Sequence, residues 1–173
     1  MATSRRSADQ RVAARSTAAL RGVLPVVVVS VLAVGFWPRS LAAGDPIQAV
    51  AHRQAEMNRM AKAMRVMGRF LKNEGATVGE VRAGAEAIRV VAATMMGELF
   101  PEGTAIGVDE SAARPEIWQQ WEVFGQYAGD LTGAAGRLAV VAASGDAEAV
   151  RAPIIAVVRA CGACHELFRQ KKP

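Results

Sequence analysis

Apolar residues recur every three or four positions in four long stretches downstream of residue 44. This spacing places them on one face of an α-helix, and no stretch alternates as a half-buried strand does. The first stretch runs from about residue 45 to 73, with Asp45 as its N-cap and Pro46 at the first helical position. Its apolar stripe consists of Val50, Met57, Met60, Met64, Met67 and Leu71.

The second and third stretches are separated by a long connection. Thr77 and Glu80 have the spacing of a capping box and open the second stretch, whose apolar face comprises Val81, Ile88, Val91, Met95 and Leu99. Residues 100–115, here called the long loop, are rich in glycine and proline. A loop of this length is unusual in a compact bundle, so we expect it to pack over another part of the molecule. The third stretch begins near Pro115, and its seam comprises Ile117, Trp121, Phe124, Ala128, Leu131, Ala135 and Leu138.

The fourth stretch follows Asp146, the expected cap, and runs to about Gln170. Pro153 lies inside it, which predicts a kink or a later start of the regular helix, because proline lacks the N–H that a helix interior uses. Four helices of roughly 20 to 28 residues predict an all-α fold, an antiparallel up-down four-helix bundle.

The positive charge of the chain is concentrated at one end. The formal net charge is +5, but the first 42 residues contain six arginines and a single acid, so the remainder is balanced. A balanced domain has no electrostatic footprint for nucleic acid, and we predict no nucleic-acid partner.

The basic leader is typical of an export signal. An apolar run of fifteen residues, Val23 to Trp37, follows the arginines and precedes the small residues Ala42 and Ala43. The run is shorter than the roughly 20 residues that a spanning helix needs. We predict a signal peptide at residues 1–43, a domain at 44–173, a periplasmic location and no stable membrane insertion after cleavage. An uncleaved N-terminal anchor is the alternative.

Both cysteines of the chain lie in "VRACGACHELFRQKKP" near its C-terminus. In an oxidising compartment they would tend to pair, but a disulfide over so short a loop stabilises little. A thioredoxin-type pair requires a βαβ context that the sequence does not show. A zinc site requires four ligands, and only His52 and His165 could add to the thiols.

Covalent haem attachment explains this motif better. Cys161 and Cys164 are at i and i+3 and His165 is at i+4 from Cys161, so all three share one helix face. C-x-x-C-H is the pattern of c-type haem attachment, with the histidine as an axial ligand of the iron. We therefore predict one covalently attached haem c per chain, held by Cys161 and Cys164, with His165 as its proximal ligand.

Four segments together resemble one family. "CGACHELFR" on the last helix and "RQAEM" on the first resemble the cytochrome c′ family, the class II c-type cytochromes. "LFPEGT" and "RPEIWQQWEVF" resemble its low-spin members in particular. The resemblance covers about residues 45 to 171 and implies the same haem-bearing four-helix bundle.

The resemblance also implies which residues surround the iron. It places Met57 opposite His165 as the distal axial ligand, with Met60 as the second choice; the alternative is that Met57 packs there without a bond. Arg53 matches a position that approaches the haem propionates, and Arg169, one turn beyond His165, is a second candidate for them.

Axial His/Met ligation implies a periplasmic carrier of single electrons, and this is the main function that we predict from the sequence. The alternative is a five-coordinate haem protein that binds NO or CO at an open distal face. No catalytic constellation is visible, so we expect no enzymatic activity. The electron carrier would require periplasmic or membrane-bound redox partner proteins, and the resemblance is also compatible with a homodimer.

Overall fold

Four long helices and one short helix form the part of the chain described by the computed structural model, residues 44–171. A π-helical turn, Met95–Leu99, continues the second long helix, and these residues contain no strand. The all-α four-helix bundle is thereby confirmed, whereas the predicted signal peptide lies outside the described residues. The helices are α1 (Pro46–Leu71), α2 (Val78–Thr94), α3 (Glu116–Gln119), α4 (Trp121–Ala142) and α5 (Arg151–Phe168).

The predicted starts of the first two helices are present, whereas Asp146 does not cap α5, whose N-cap is Val150. The Asp45 side chain accepts a hydrogen bond from the Ile47 N–H at 3.0 Å and caps α1. At α2, the Thr77 hydroxyl accepts from the Glu80 N–H at 3.2 Å, while the Glu80 carboxylate accepts from the Thr77 N–H at 2.7 Å. This reciprocal pair satisfies two backbone donors that would otherwise have no partner.

The structure changes two details of the predicted helices, one in the third stretch and one at Pro153. The third stretch is not one helix, because Gln120 has φ −124° and ψ 46° and separates α3 from α4. At this break the indole of Trp118 donates to the Phe100 carbonyl at 3.0 Å, an acceptor that an indole N–H removed from water needs. The later start that Pro153 predicted is observed, because α5 starts at Arg151 and not directly after Asp146. The proline thus falls in the first turn, where backbone N–H groups have no helical partner, and it causes no break.

The core lies mainly between α2 and α4, the pair of helices in most extensive contact, whereas α1 and α5 scarcely touch. Fully buried side chains from both central helices fill this core, among them Ile88, Val91, Phe124 and Leu138. The space between α1 and α5 is therefore left for another occupant.

The two outer helices are joined at both ends of that space. At one end, Arg151 of α5 donates to the Leu71 carbonyl at 3.2 Å and to the Asn73 side chain at 2.8 Å. At the other end the long loop pairs with the end of α5: the Gln170 N–H donates to the Ala112 carbonyl at 2.8 Å, and an isolated bridge joins residues 113 and 169. Among residues 44–171, no helix has the length and apolar character required to cross a membrane.

Candidate functional site

A cavity of about 510 Å³ occupies the space between α1 and α5. This volume falls within the range of cofactor and ligand pockets. Cys161, Cys164 and His165 of α5 line one wall, while Met57, Met60 and Met64 of α1 line the opposite wall. Arg53 and Arg169 also border the cavity, so the structure brings together every site residue predicted from the sequence. His52 is exposed and is not among the lining residues.

The α5 wall presents two free thiols and an imidazole in neutral form. Burial raises the pKa of Cys164 to about 11, with the neighbouring Cys161 adding to the effect, and burial also raises the pKa of Cys161. Burial, followed by the positive charge of Arg169, lowers the pKa of His165. A neutral imidazole has a lone pair that can bind a metal ion.

The α1 wall combines the apolar side chains of three methionines with the polar side chains of Arg53, Gln54 and Asn58. Met57 is half-buried and packs against the core, and Met60 is buried one turn further along the helix. Thioether side chains are flexible and polarisable, which suits the irregular surface around a large flat cofactor.

An aromatic cluster closes the base of the cavity. The Phe124 ring lies 4.7 Å from that of Phe100 and 5.4 Å from that of Phe168, both edge-to-face. Trp121 stacks on Phe124 at 5.7 Å, and Tyr127 meets Phe168 at 5.9 Å. These rings join α4, α5 and the start of the long loop behind the cavity.

Arg53 fastens the long loop to α1. Its guanidinium donates to the Thr104 hydroxyl and carbonyl, both at 2.8 Å, to the Ser111 hydroxyl at 2.9 Å and to the Leu99 carbonyl at 3.3 Å. The guanidinium carbon also lies 4.9 Å from the centre of the Phe100 ring. Only 5% of Arg53 is exposed, and burial lowers its pKa from the ordinary value.

This network changes the interpretation of Arg53. Both of its terminal nitrogens donate hydrogen bonds to the long loop, so Arg53 has a structural role that the resemblance did not indicate. Contact of Arg53 or Arg169 with a haem propionate stays a prediction. Thr104 and Ser111 were not predicted from the sequence as partners of Arg53. The available signal was the position of Arg53 on the apolar face of α1, where a buried arginine needs acceptors.

The free energy of unfolding should fall by about 3 kcal/mol in Arg53→Leu, because several charge-assisted hydrogen bonds are lost and buried carbonyls are left unpaired. Urea unfolding of the haem-loaded protein measures this change. Arg59→Leu is the matched control, since Arg59 on the same helix is half exposed and pairs only with Glu56 at 3.5 Å; we expect a change below about 0.5 kcal/mol. Equal changes in the free energy of unfolding in the two variants would show that Arg53 does not fasten the long loop.

Comparison with known proteins identifies the family. The sequence model for Cytochrome C′ matches residues 48–169, which include both walls of the cavity. The chain belongs to the cytochrome c′ family.

Curated and solved members of the cytochrome c′ family are similar along most of the chain. Cytochrome c′ of Allochromatium vinosum is 34% identical over 155 residues, which cover 88% of this chain and 100% of that protein. A solved cytochrome c′ described by its ligand-controlled dimer dissociation has a TM-score of 0.67 at 35% identity and covers 73% of this chain and 98% of its own. A nitric oxide complex of an Alcaligenes xylosoxidans cytochrome c′ variant has a TM-score of 0.65 at 28% identity, covering 75% and 98%.

Members of the cytochrome c′ family carry covalently attached haem c, and the predicted cofactor is thereby confirmed. The residues present fit this group, since two free thiols and an imidazole face a cavity of suitable volume on one helix. Their individual roles stay predictions.

The main function predicted from the sequence, an electron carrier with His/Met ligation, is wrong. Solved cytochromes c′ similar to this chain are complexes with nitric oxide and, in another variant of the Alcaligenes protein, with carbon monoxide. A gas complex requires a coordination position that a second axial protein ligand would fill. The comparisons therefore favour the alternative function, and the redox partner proteins stay a prediction.

Proposed function

We propose that this member of the cytochrome c′ family is a non-enzymatic haem protein that binds NO or CO at an open distal face. One observation carries the proposal. The wall opposite His165 carries no imidazole, because His52, the other histidine among the described residues, is exposed and does not line the cavity. The apolar part of that wall includes the thioethers of Met57, Met60 and Met64. The likeness to solved proteins that hold these two gases supports it.

The chain's own residues would divide the work between the two walls. Cys161 and Cys164 would hold the cofactor through thioether bonds, and the neutral His165 would provide the proximal ligand. When bound, haem c supplies an iron with one position open to a diatomic gas. Met57 would cover that position as an apolar lid without bonding to it, while the Phe100 and Phe124 rings keep water out of this end of the cavity.

The absorption spectrum of the ferrous protein with and without CO tests the proposal. We expect a high-spin spectrum that shifts when CO is added, both in the wild type and in Met57→Leu, a substitution that preserves volume. A wild type that ignores CO beside a Met57→Leu variant that binds it would mean that Met57 occupies the distal position. That result would overturn the proposal.

We also propose export to the periplasm and assembly into a homodimer. Export is supported by the leader, and its test is the mass of the protein recovered from the periplasm, which should lack about residues 1–43. The dimer is supported by the relative whose dimer dissociates under ligand control. Sedimentation at equilibrium should give twice the chain mass, and a single-chain mass at all concentrations would exclude the dimer.

A further inference from the structure

A second recess of about 350 Å³ lies beside the cavity, at the end of α2. Most of its lining side chains are apolar and Glu102 is the charged one, but the surface that it exposes is about equally polar and apolar. The residues that line it are Met96, Gly97, Phe100, Pro101, Glu102, Trp118 and Trp121.

Phe100 is the side chain that the recess shares with the cavity. It is held in place by contacts on both sides: the Phe124 ring at 4.7 Å and the Arg53 guanidinium at 4.9 Å. Arg53 is on α1, one turn before Met57, so the Phe100 ring borders the methionine side of the cavity. One aromatic ring therefore stands between the recess and the proposed gas position.

The π-helical turn directly precedes Phe100 and contributes side chains to both spaces. Consecutive residues of the turn face different spaces, because Met95 lines the cavity and Met96 lines the recess. A π-helical turn inserts one extra residue into a helix and is frequent at functional sites. Here it brings both spaces to the two sides of Phe100.

We propose that the recess is the access site for a diatomic gas such as NO or CO, and that Phe100 is the gate between it and the Met57 side of the cavity. This inference rests on the proposed gas-binding function. A haem bound in the cavity would fill the space between α1 and α5, so a route that avoids this space has to cross the wall, and Phe100 is the side chain that lines both the cavity and the recess. Apolar cavities accept small apolar molecules, including xenon, which suits the Met96, Trp118 and Trp121 side chains.

Gly97 allows the recess to be filled without disturbing the fold. A Cβ at Gly97 meets no atom within 4 Å, and the same holds for Gly129, an exposed glycine of α4 that lines neither space. Because Gly97 lines the recess, Gly97→Leu should place a side chain at its wall, and Gly129→Leu is its matched control. In the ferrous haem-loaded protein, flash photolysis should show CO association slowed about threefold or more in Gly97→Leu, and unchanged in Gly129→Leu.

Two further measurements make the outcome decisive. Phe100→Leu replaces the ring by a smaller side chain and should accelerate CO association. Equal association rates in the wild type and in the Gly97→Leu, Gly129→Leu and Phe100→Leu variants would overturn the inference. Crystals of the haem-loaded protein under xenon should show xenon in the recess of the wild type and none there in Gly97→Leu. If CO does not bind at all, the proposed function fails, and xenon still decides whether the recess takes an apolar gas. An absence of xenon from the wild-type recess would also overturn the inference.

Discussion

The Cys161→Ala/Cys164→Ala double variant should retain no haem after the chain is denatured. The two thiols are the only ones in the chain, so no other side chain can form the thioether bonds of a c-type haem. His165 and the rest of the cavity lining remain, so haem added to the folded variant should still bind reversibly and then be removed by acid extraction. Haem absorbance of the denatured chain, after expression with haem-attachment machinery, measures the loss.

Gly162→Ala provides the matched control for the cysteines. Gly162 lies between them on α5, and a Cβ there meets no protein atom within 4 Å. Alanine also has a higher helix propensity than glycine by roughly 0.5–1 kcal/mol. This variant should keep its haem after denaturation. Haem that stays on the denatured double variant would show that the attachment site lies elsewhere.

Phe124→Ala should lower the free energy of unfolding by about 3–5 kcal/mol, the range for large-to-small changes of a buried aromatic residue. Phe124 is 1% exposed and its ring contacts those of Phe100, Trp121 and Phe168. Removing it opens a void beside the cavity and takes one ring contact from each of its three aromatic partners. Urea unfolding of the haem-loaded protein measures the loss.

Val123→Ala tests whether this cost belongs to the aromatic cluster. Val123 is the preceding residue on α4 but is 37% exposed, so its truncation should cost less than about 1 kcal/mol. A loss below about 1 kcal/mol in Phe124→Ala would mean that the cluster does not support the cavity.

Most of the fold could be predicted from the periodic apolar stripes and the helix caps. The helix starts at Asp45 and Thr77 could be predicted, because each depends on one side chain and on backbone groups two or three residues away. The break at Gln120 and the π-helical turn could not, since neither carries a local signal. The bond between Trp118 and Phe100 spans 18 residues, and periodicity along a helix holds no information about such partners.

The two walls of the cavity differ in how much the sequence revealed. The C-x-x-C-H motif sets the α5 wall through local spacing, so the amino-acid sequence alone was enough to place Cys161, Cys164 and His165 on it. For Met57, helical periodicity predicted its position on the apolar stripe of α1, and the family resemblance implied its place opposite His165. Neither could decide between a thioether that binds iron and one that only packs, because both occupy the same place. The network of Arg53 with Thr104 and Ser111 joins segments about 50 residues apart in the chain, which the sequence could not pair.

The backbone pairing of the long loop with residues 168–170 has a consequence for biosynthesis. Those residues follow all the others that border the cavity, so they leave the ribosome after them. Until they are made, α5 is incomplete and the backbone bonds between the long loop and the end of α5 are absent. We therefore expect this end of the cavity to close last, and a chain truncated before residue 168 should hold its long loop more loosely.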